Sequence, residues 1–234
     1  MGYDYRNMKD FRAIYKTEQA YHHTAAGFRS WFLRDNYESI AKECRTQDTA
    51  LDLGCGEGCL GQYLDVKWLA GVDYSEDALS LCKKLYPDDY DELHLGDMRS
   101  IEKVRFAKPS YDLILCSISL MYLFGDDLEK CLRDVHSLLS SGGYFVFTYP
   151  TLGPHRKGSP EAAELPPDEL LNKFLKVGFE LEKMLPICPL VPKSVVDQST
   201  LKESEEAAYR AYANAKANMS METSYHFLCK VSKK

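Results

Sequence analysis

Between residues 49 and 185, short apolar runs alternate with segments whose apolar residues recur every three or four positions. The run Tyr111–Ile118 is almost entirely apolar, which is typical of a central strand covered on both faces. In Asp127–Leu139 the apolar residues fall at helical spacing, and Gly142 and Gly143 mark its end. The predicted strands are Thr49–Cys55, Trp68–Asp73, Glu92–Leu95, Tyr111–Ile118, Tyr144–Tyr149, Phe179–Leu185 and Ser224–Val231. The predicted helices are one after the first strand, through about Leu64, then Glu76–Leu85, Asp127–Leu139 and Pro167–Val177.

Strands that alternate with helices predict βαβ units, so the fold class is α/β with a doubly wound, seven-stranded sheet and helices on both faces. The length fits one domain over residues 1–234. Within it, residues 45–186 are the predicted core. Residues 1–40, aromatic and helical in period, are a predicted lid, and residues 189–222 are an insertion before the last strand.

A glycine turn follows the first strand in Asp52-Leu53-Gly54-Cys55-Gly56-Glu57-Gly58. Alternate glycines permit a tight turn and let a ligand approach the backbone. A dinucleotide fingerprint would place its third glycine at position 59, where the chain has Cys59. Glu57 also brings negative charge to the place of a pyrophosphate, so the pattern favours a cationic or zwitterionic ligand.

Two further acids end the next two strands. Asp73 closes the second strand and has the position of a carboxylate that accepts from both ribose hydroxyls of a nucleoside. Asp97 closes the third strand, followed by Met98, and this pair is suited to a purine edge and ring. Each acid alone is more typical of a turn or a helix cap. The glycine turn and the acids at positions 52, 73 and 97 together, however, occur in the order and places that a nucleoside site requires.

In these features the sequence resembles the class I S-adenosylmethionine-dependent methyltransferases, small-molecule type, over about Thr49–Leu185 and the strand near Tyr225. The resemblance implies a mostly parallel, Rossmann-like sheet and S-adenosylmethionine as cofactor. It also implies the cofactor-binding residues: Gly54, Cys55 and Gly56 along the methionine part, Asp52 orienting that loop, Asp73 on the ribose, Tyr74, Asp97 and Met98 at the adenine, and the Cys116 carbonyl on the methionine ammonium.

Methyl transfer requires an aligned nucleophile and, for a hydroxyl or an ammonium, a proton acceptor. Tyr122 stands where many relatives carry a histidine; the other candidate catalytic residues are Tyr21, His22 and His155, with His23 beside them. An amine, thiol or carboxylate acceptor needs little such help. The fourth strand ends in Cys116 rather than in an aspartate, so we expect a metal-independent reaction.

The N-terminal segment is predicted to combine two roles. Phe28, Trp31 and Phe32 are expected to pack on the sheet domain, whereas Tyr15 and Tyr21 are expected to close over the cofactor as a lid.

Net charge, the length of apolar runs and cysteine spacing limit the classes of partner and the cellular location. The net charge of −6 and the absence of a basic stripe oppose nucleic-acid binding, and no apolar run is long enough to span a membrane. Eight irregularly spaced cysteines favour reduced thiols and a cytoplasmic location. The expected acceptor is a small molecule. A tRNA or RNA methyltransferase, an NAD-dependent oxidoreductase and a non-catalytic binding protein remain alternatives, and monomer or homodimer is open.

Overall fold

A computed structural model describes residues 26–44, 46–151 and 165–233. Its centre is a seven-stranded sheet in the order β3-β2-β1-β4-β5-β7-β6, which confirms the predicted fold class. The strands are β1 Ala50–Leu53, β2 Leu69–Asp73, β3 Glu92–Leu95, β4 Tyr111–Cys116, β5 Leu139–Pro150, β6 Phe179–Pro189 and β7 Ser224–Lys233.

The strands β1 to β5 are parallel, and β7 runs antiparallel between β5 and β6. From β1 the chain moves outward through β2 to β3, then returns to form β4 on the other side of β1. The order therefore reverses between β1 and β4, and in open α/β sheets the ligand crevice lies outside the carboxyl ends of the strands at such a point.

Helices cover both faces of the sheet. The α-helices are α1 Phe28–Glu43, α2 Glu76–Leu85, α3 Gly125–Leu138, α4 Pro167–Val177, α5 Lys193–Gln198 and α6 Glu205–Ala217. Residues of α3 and α4 form one core with one face of the strands, and residues of α1 and α2 form a second core with the other face. In β4, for example, Ile114 belongs to the first core and Leu115 to the second, as the alternation of strand side chains requires.

Local chemistry explains the helix that follows β2. The side chain of Ser75 accepts a hydrogen bond from the Ala78 amide, and Glu76 and Asp77 occupy the positive end of α2. The prediction of a helix up to about Leu64 is wrong: after the glycine turn only the 3-10 turn Gly61–Tyr63 forms. Gly58 has φ +84°, a conformation that an α-helix does not contain.

Trp31, expected to pack on the sheet domain, packs on the insertion before the last strand. Its ring contacts Tyr209 and Tyr212 of α6, with centroids 5.1 and 5.3 Å away. Phe32 does pack on the sheet, against Tyr225 of β7. The first described helix thus joins the insertion to the sheet.

Candidate active site

At the carboxyl ends of β1 to β4, where an open α/β sheet has its ligand crevice, lie Gly54, Asp73, Met98 and Ser119. The Ser119 hydroxyl donates to the Gly54 carbonyl over 3.2 Å. A side-chain carbon at Gly54 would lie 2.6 Å from the Cβ of Ser119 and 3.7 Å from the terminal methyl group of Met98. The absence of a Cβ at Gly54, where φ is +71°, therefore lets the ends of β1 and β4 meet.

Asp73 connects the end of β2 to the glycine turn. Its two carboxylate oxygens accept from the Gly56 amide at 2.9 Å and from the Ser75 amide at 2.8 Å. The side chain is buried, and burial raises the pKa of Asp73 to about 6, although these backbone hydrogen bonds act in the opposite direction. A third backbone hydrogen bond, from Tyr74, also lowers the pKa of Asp73, and with four lone pairs the carboxylate can still accept from a hydroxyl of a ligand.

Asp52, inside β1, is also buried. The hydroxyl of Tyr90 donates to its carboxylate over 2.8 Å, which ties β1 to the segment before β3. The pKa of Asp52 is raised to about 7. Burial is the largest cause; the hydrogen bond from Tyr90 lowers the pKa, and the negative charge of Asp73 contributes to raising it. Tyr90 carries no signal in the sequence because its partner lies 38 residues away in a different element.

The third acid has a partner within its own loop. Asp97 caps the 3-10 turn Met98–Lys103 by accepting from the Arg99 amide, and it also accepts from the Arg99 guanidinium, with 2.9 Å between Nε and Oδ2. Its predicted contact with an adenine amino group has to be made alongside this ion pair. Tyr74 lies half-buried beside Asp73, and the half-buried Met98 packs against the first core.

The turn after β4 is unusual. Cys116 is fully buried in the first core, and burial holds the pKa of its thiol well above the ordinary range, so this side chain is not a nucleophile. Ile118 has φ +58°, and its amide donates to the buried Thr148 hydroxyl over 2.9 Å. Tyr122 is half-buried in the next 3-10 turn, where its amide donates to the Ser119 carbonyl.

The side of the crevice next to β5 is aromatic. Because β7 is antiparallel, its first residues share the carboxyl edge of the sheet, where His226 pairs with Pro150. Phe32 packs edge-on to His226, with ring centroids 4.9 Å apart, and Tyr225 stacks on His226. His226 carries no signal in the sequence, because it is the register of β7 that brings this histidine to the carboxyl edge.

Several predicted residues lie outside the described part of the chain: Tyr15, Tyr21, His22, His23 and His155. Within the described ranges, no group of three or more histidine, cysteine, aspartate or glutamate side chains is arranged to hold a metal ion. None of the helices described there is long and apolar enough to cross a membrane.

The residues that are present fit the predicted cofactor. The Ser117 hydroxyl is buried at the end of β4 and has no hydrogen-bond partner in the described ranges, which suits a polar ligand beside it. The Asp73 carboxylate can accept from a ribose hydroxyl, and the turn at Gly54 and Gly56 has positive φ angles that glycine adopts without strain. When bound, S-adenosylmethionine supplies an electrophilic methyl group on a sulfonium.

Comparison with known protein families identifies a methyltransferase domain in the chain. Residues 45–213, well over half of the chain, match the model of a methyltransferase domain. The sequence is 29% identical over 97 residues to the mitochondrial arginine-hydroxylase NDUFAF5 of Mus musculus and 28% identical to that of Homo sapiens. That stretch is 42% of this chain but only 27% of those relatives, so the chain spans a minor part of their length.

Solved structures agree on the fold. The N-methyltransferase NodS of Bradyrhizobium japonicum WM9, in complex with S-adenosyl-l-homocysteine, has a TM-score of 0.66 at 12% identity, over 96% of this chain and 97% of that one. A methyltransferase of Haloferax volcanii in complex with the activator Trm112 has a TM-score of 0.65 at 16% identity, over 96% and 97%. The chain belongs to the methyltransferase domain family, and its fold is the one found in S-adenosylmethionine-dependent methyltransferases of known structure.

Proposed function

We propose that the enzyme methylates an oxygen, nitrogen or sulfur nucleophile of a small molecule, without a metal. The observation that carries the proposal is a wall formed by α1, α5 and α6 beside the β5 and β7 edge of the crevice. A wall of this kind encloses a compact acceptor and excludes water from it.

Long-range polar contacts hold the wall together. The buried carboxylate of Asp35 in α1 accepts from the Tyr212 hydroxyl and pairs with Lys216, both of α6, with 2.7 Å to the Lys216 ammonium. The Phe28 amide donates to the Ser199 hydroxyl over 2.8 Å. Because Asp35 is buried, these contacts hold α1 against α6, although the Lys216 ammonium is partly exposed.

On this surface, the half-buried ring of Phe32 packs edge-on to the half-buried ring of Tyr225 and to the buried ring of His226. We assign to them the apolar contacts of the acceptor. Proton removal, where the acceptor requires it, falls in the proposal to Tyr122, Tyr21, His22 or His155. The cofactor roles proposed above for residues 52 to 116 complete the site, with Tyr15 in the lid.

Eight free thiols support a reducing compartment, and we place the reaction in the cytoplasm.

The experiment is a panel of amines, thiols, carboxylates and phenols, with tRNA and a peptide included, incubated with the enzyme and methyl-labelled cofactor. Mass spectrometry identifies the labelled product. We expect label on one small-molecule class and none on tRNA, because the chain is acidic overall and repels a polyanion. On the proposal, the peptide also remains unlabelled, because the wall is suited to a compact acceptor. Label on tRNA or peptide alone overturns the proposal.

A matched pair of variants tests the wall. Phe32→Ala should raise KM for the identified acceptor about tenfold and leave the Kd for S-adenosylhomocysteine unchanged, since one aromatic contact contributes about 1–2 kcal/mol. Phe106→Ala removes an equally half-buried ring, packed on His94 and Tyr111 near β3, and should change neither constant. Equal effects of the two substitutions would remove the wall from the acceptor site.

A further inference from the structure

The turn at Ser117–Ser119 contains a strained residue. Ile118 has φ +58°, and it is the one non-glycine residue with positive φ among the residues that the structure describes. A β-branched side chain in the left-handed region is disfavoured, and such a conformation persists only where the surroundings impose it. The strain lies at the carboxyl end of β4, directly beside Gly54.

Two neighbouring strands impose this conformation. From β5, the Thr148 hydroxyl accepts from the Ile118 amide over 2.9 Å, and Thr148 is completely buried. From the β1 side, the Gly54 carbonyl accepts from the Ser119 hydroxyl, whose Cβ occupies the space that a side chain at Gly54 would need. The turn is thus held at both ends.

The sheet itself offers no acceptor for Ile118. The parallel pairing of β4 with β5 ends at Cys116 and Phe147, two residues before the strained position. In the register of β5 and β7, Thr148 lies opposite Leu228. The acceptor that the structure gives the Ile118 amide is the side-chain oxygen of Thr148, and an apolar residue at position 148 removes that acceptor.

We infer that Thr148 is a positioning residue for the cofactor site. It acts through Ile118, because it holds the turn in the conformation that keeps Ser119 on the Gly54 carbonyl and the unpartnered Ser117 hydroxyl beside the crevice. Without this hydrogen bond the turn relaxes toward negative φ, and the binding surface loses its preorganisation. The inference concerns cofactor binding and is independent of the acceptor class proposed above.

Three single variants test the inference by calorimetry with S-adenosylhomocysteine and by thermal melting. Thr148→Val keeps the shape and removes the acceptor, and it should weaken binding about tenfold, the value of one net hydrogen bond. Thr148→Ser restores the hydroxyl and should bind within about twofold of the wild type.

Thr49→Val is the matched control. Thr49 precedes β1 at the opposite edge of the sheet, where its hydroxyl bonds to Asp112. This variant should lower the melting temperature and leave the Kd within about twofold. An unchanged Kd in Thr148→Val, or an equal loss in Thr49→Val, overturns the inference.

A double-mutant cycle separates positioning from general damage. Glycine adopts positive φ freely, so Ile118→Gly removes the strain that Thr148 counteracts. In the Ile118→Gly background, Thr148→Val should weaken binding less than about threefold, because the two positions are coupled. A full tenfold loss in that background contradicts the inference. If Thr148→Val alone does not fold, a folded double variant supports the same coupling, and an unfolded one contradicts it.

Discussion

The hydrogen bonds that stabilise the two sides of the crevice join residues at very different separations in the sequence. On the cofactor side, Asp73 accepts from the Ser75 amide two residues away and from the Gly56 amide 17 residues away. On the wall side, the bond between Tyr212 and Asp35 spans 177 residues. The first arrangement is encoded in consecutive strand ends, whereas the second exists only after the whole domain has folded.

The difference also concerns electrostatics. The cofactor side buries three carboxylates, Asp52, Glu57 and Asp73. The donors to Asp52 and Asp73 described above are backbone amides and a tyrosine hydroxyl, none of them positively charged. On the wall side, Asp35 has an ammonium group beside it. The cofactor side is thus suited to a ligand that carries positive charge, and the wall is electrostatically satisfied by its own residues. Four experiments test this contrast.

The largest effect is expected at Gly54. Gly54→Ala combines a left-handed φ with a contact of 2.6 Å to Ser119, so it should lower the free energy of unfolding by about 2–5 kcal/mol and weaken S-adenosylhomocysteine binding about 100-fold or more. Gly142→Ala is the control: φ is +74°, yet nothing lies within 4 Å of the added carbon. It should cost about 1–2 kcal/mol of stability and leave binding unchanged. Calorimetry and denaturant titration measure both, and equal binding losses would contradict the close approach at Gly54.

Asp73→Ala is expected to act next. It removes the predicted ribose acceptor and releases the glycine turn, so cofactor affinity should fall by about 2–3 kcal/mol, or roughly 30- to 150-fold. Asp112→Ala removes a carboxylate that bonds to Thr49 and Ser140 at the opposite sheet edge, and it should affect stability alone. Unchanged cofactor affinity in a folded Asp73→Ala protein would exclude Asp73 from the site.

The third experiment uses pH. The pKa values of Asp52 and Asp73 are raised from 3.8 to about 7 and about 6, so in the folded apoprotein both bind protons that the unfolded chain has lost. Their contribution to stability is therefore fully present below pH 4 and is lost as the pH rises through 6 and 7. Asp52→Asn should raise the melting temperature by about 3–6 °C at pH 8 and change it little at pH 5. Asp48→Asn, at an exposed position, should show no such pH dependence. A stabilisation that is equal at both pH values would contradict burial of a charged Asp52.

The smallest effect is expected at the wall. Tyr212→Phe removes one donor to Asp35 and leaves Lys216, so it should cost about 1–2 kcal/mol of stability with no change in cofactor affinity. Tyr209 contacts the same Trp31 ring but is 41% exposed, and Tyr209→Phe should cost less than about 0.5 kcal/mol. A loss of cofactor affinity in Tyr212→Phe would show that the two sides are coupled.

The same contrast explains what the sequence reveals. The strands, the helix Glu76–Leu85 and the acids at strand ends were predictable because period, caps and glycine spacing act over a few residues. Tyr90, Thr148 and His226 were not, since their roles arise from partners in other elements. The prediction of a helix up to Leu64 was wrong because helix propensity contains no information on the positive φ that the glycine turn imposes at Gly58.

The position of β7 has a consequence for biosynthesis. This strand is the last of the sheet to be translated, yet it lies between β5 and β6. Until β7 emerges, β5 and β6 each have a strand edge without its hydrogen-bonding neighbour. Apolar side chains on the faces of these strands also lack part of their packing partners. The interval in which residues 190–223 are being made is therefore the period of greatest exposure to aggregation, and the stage at which a chaperone has most to protect.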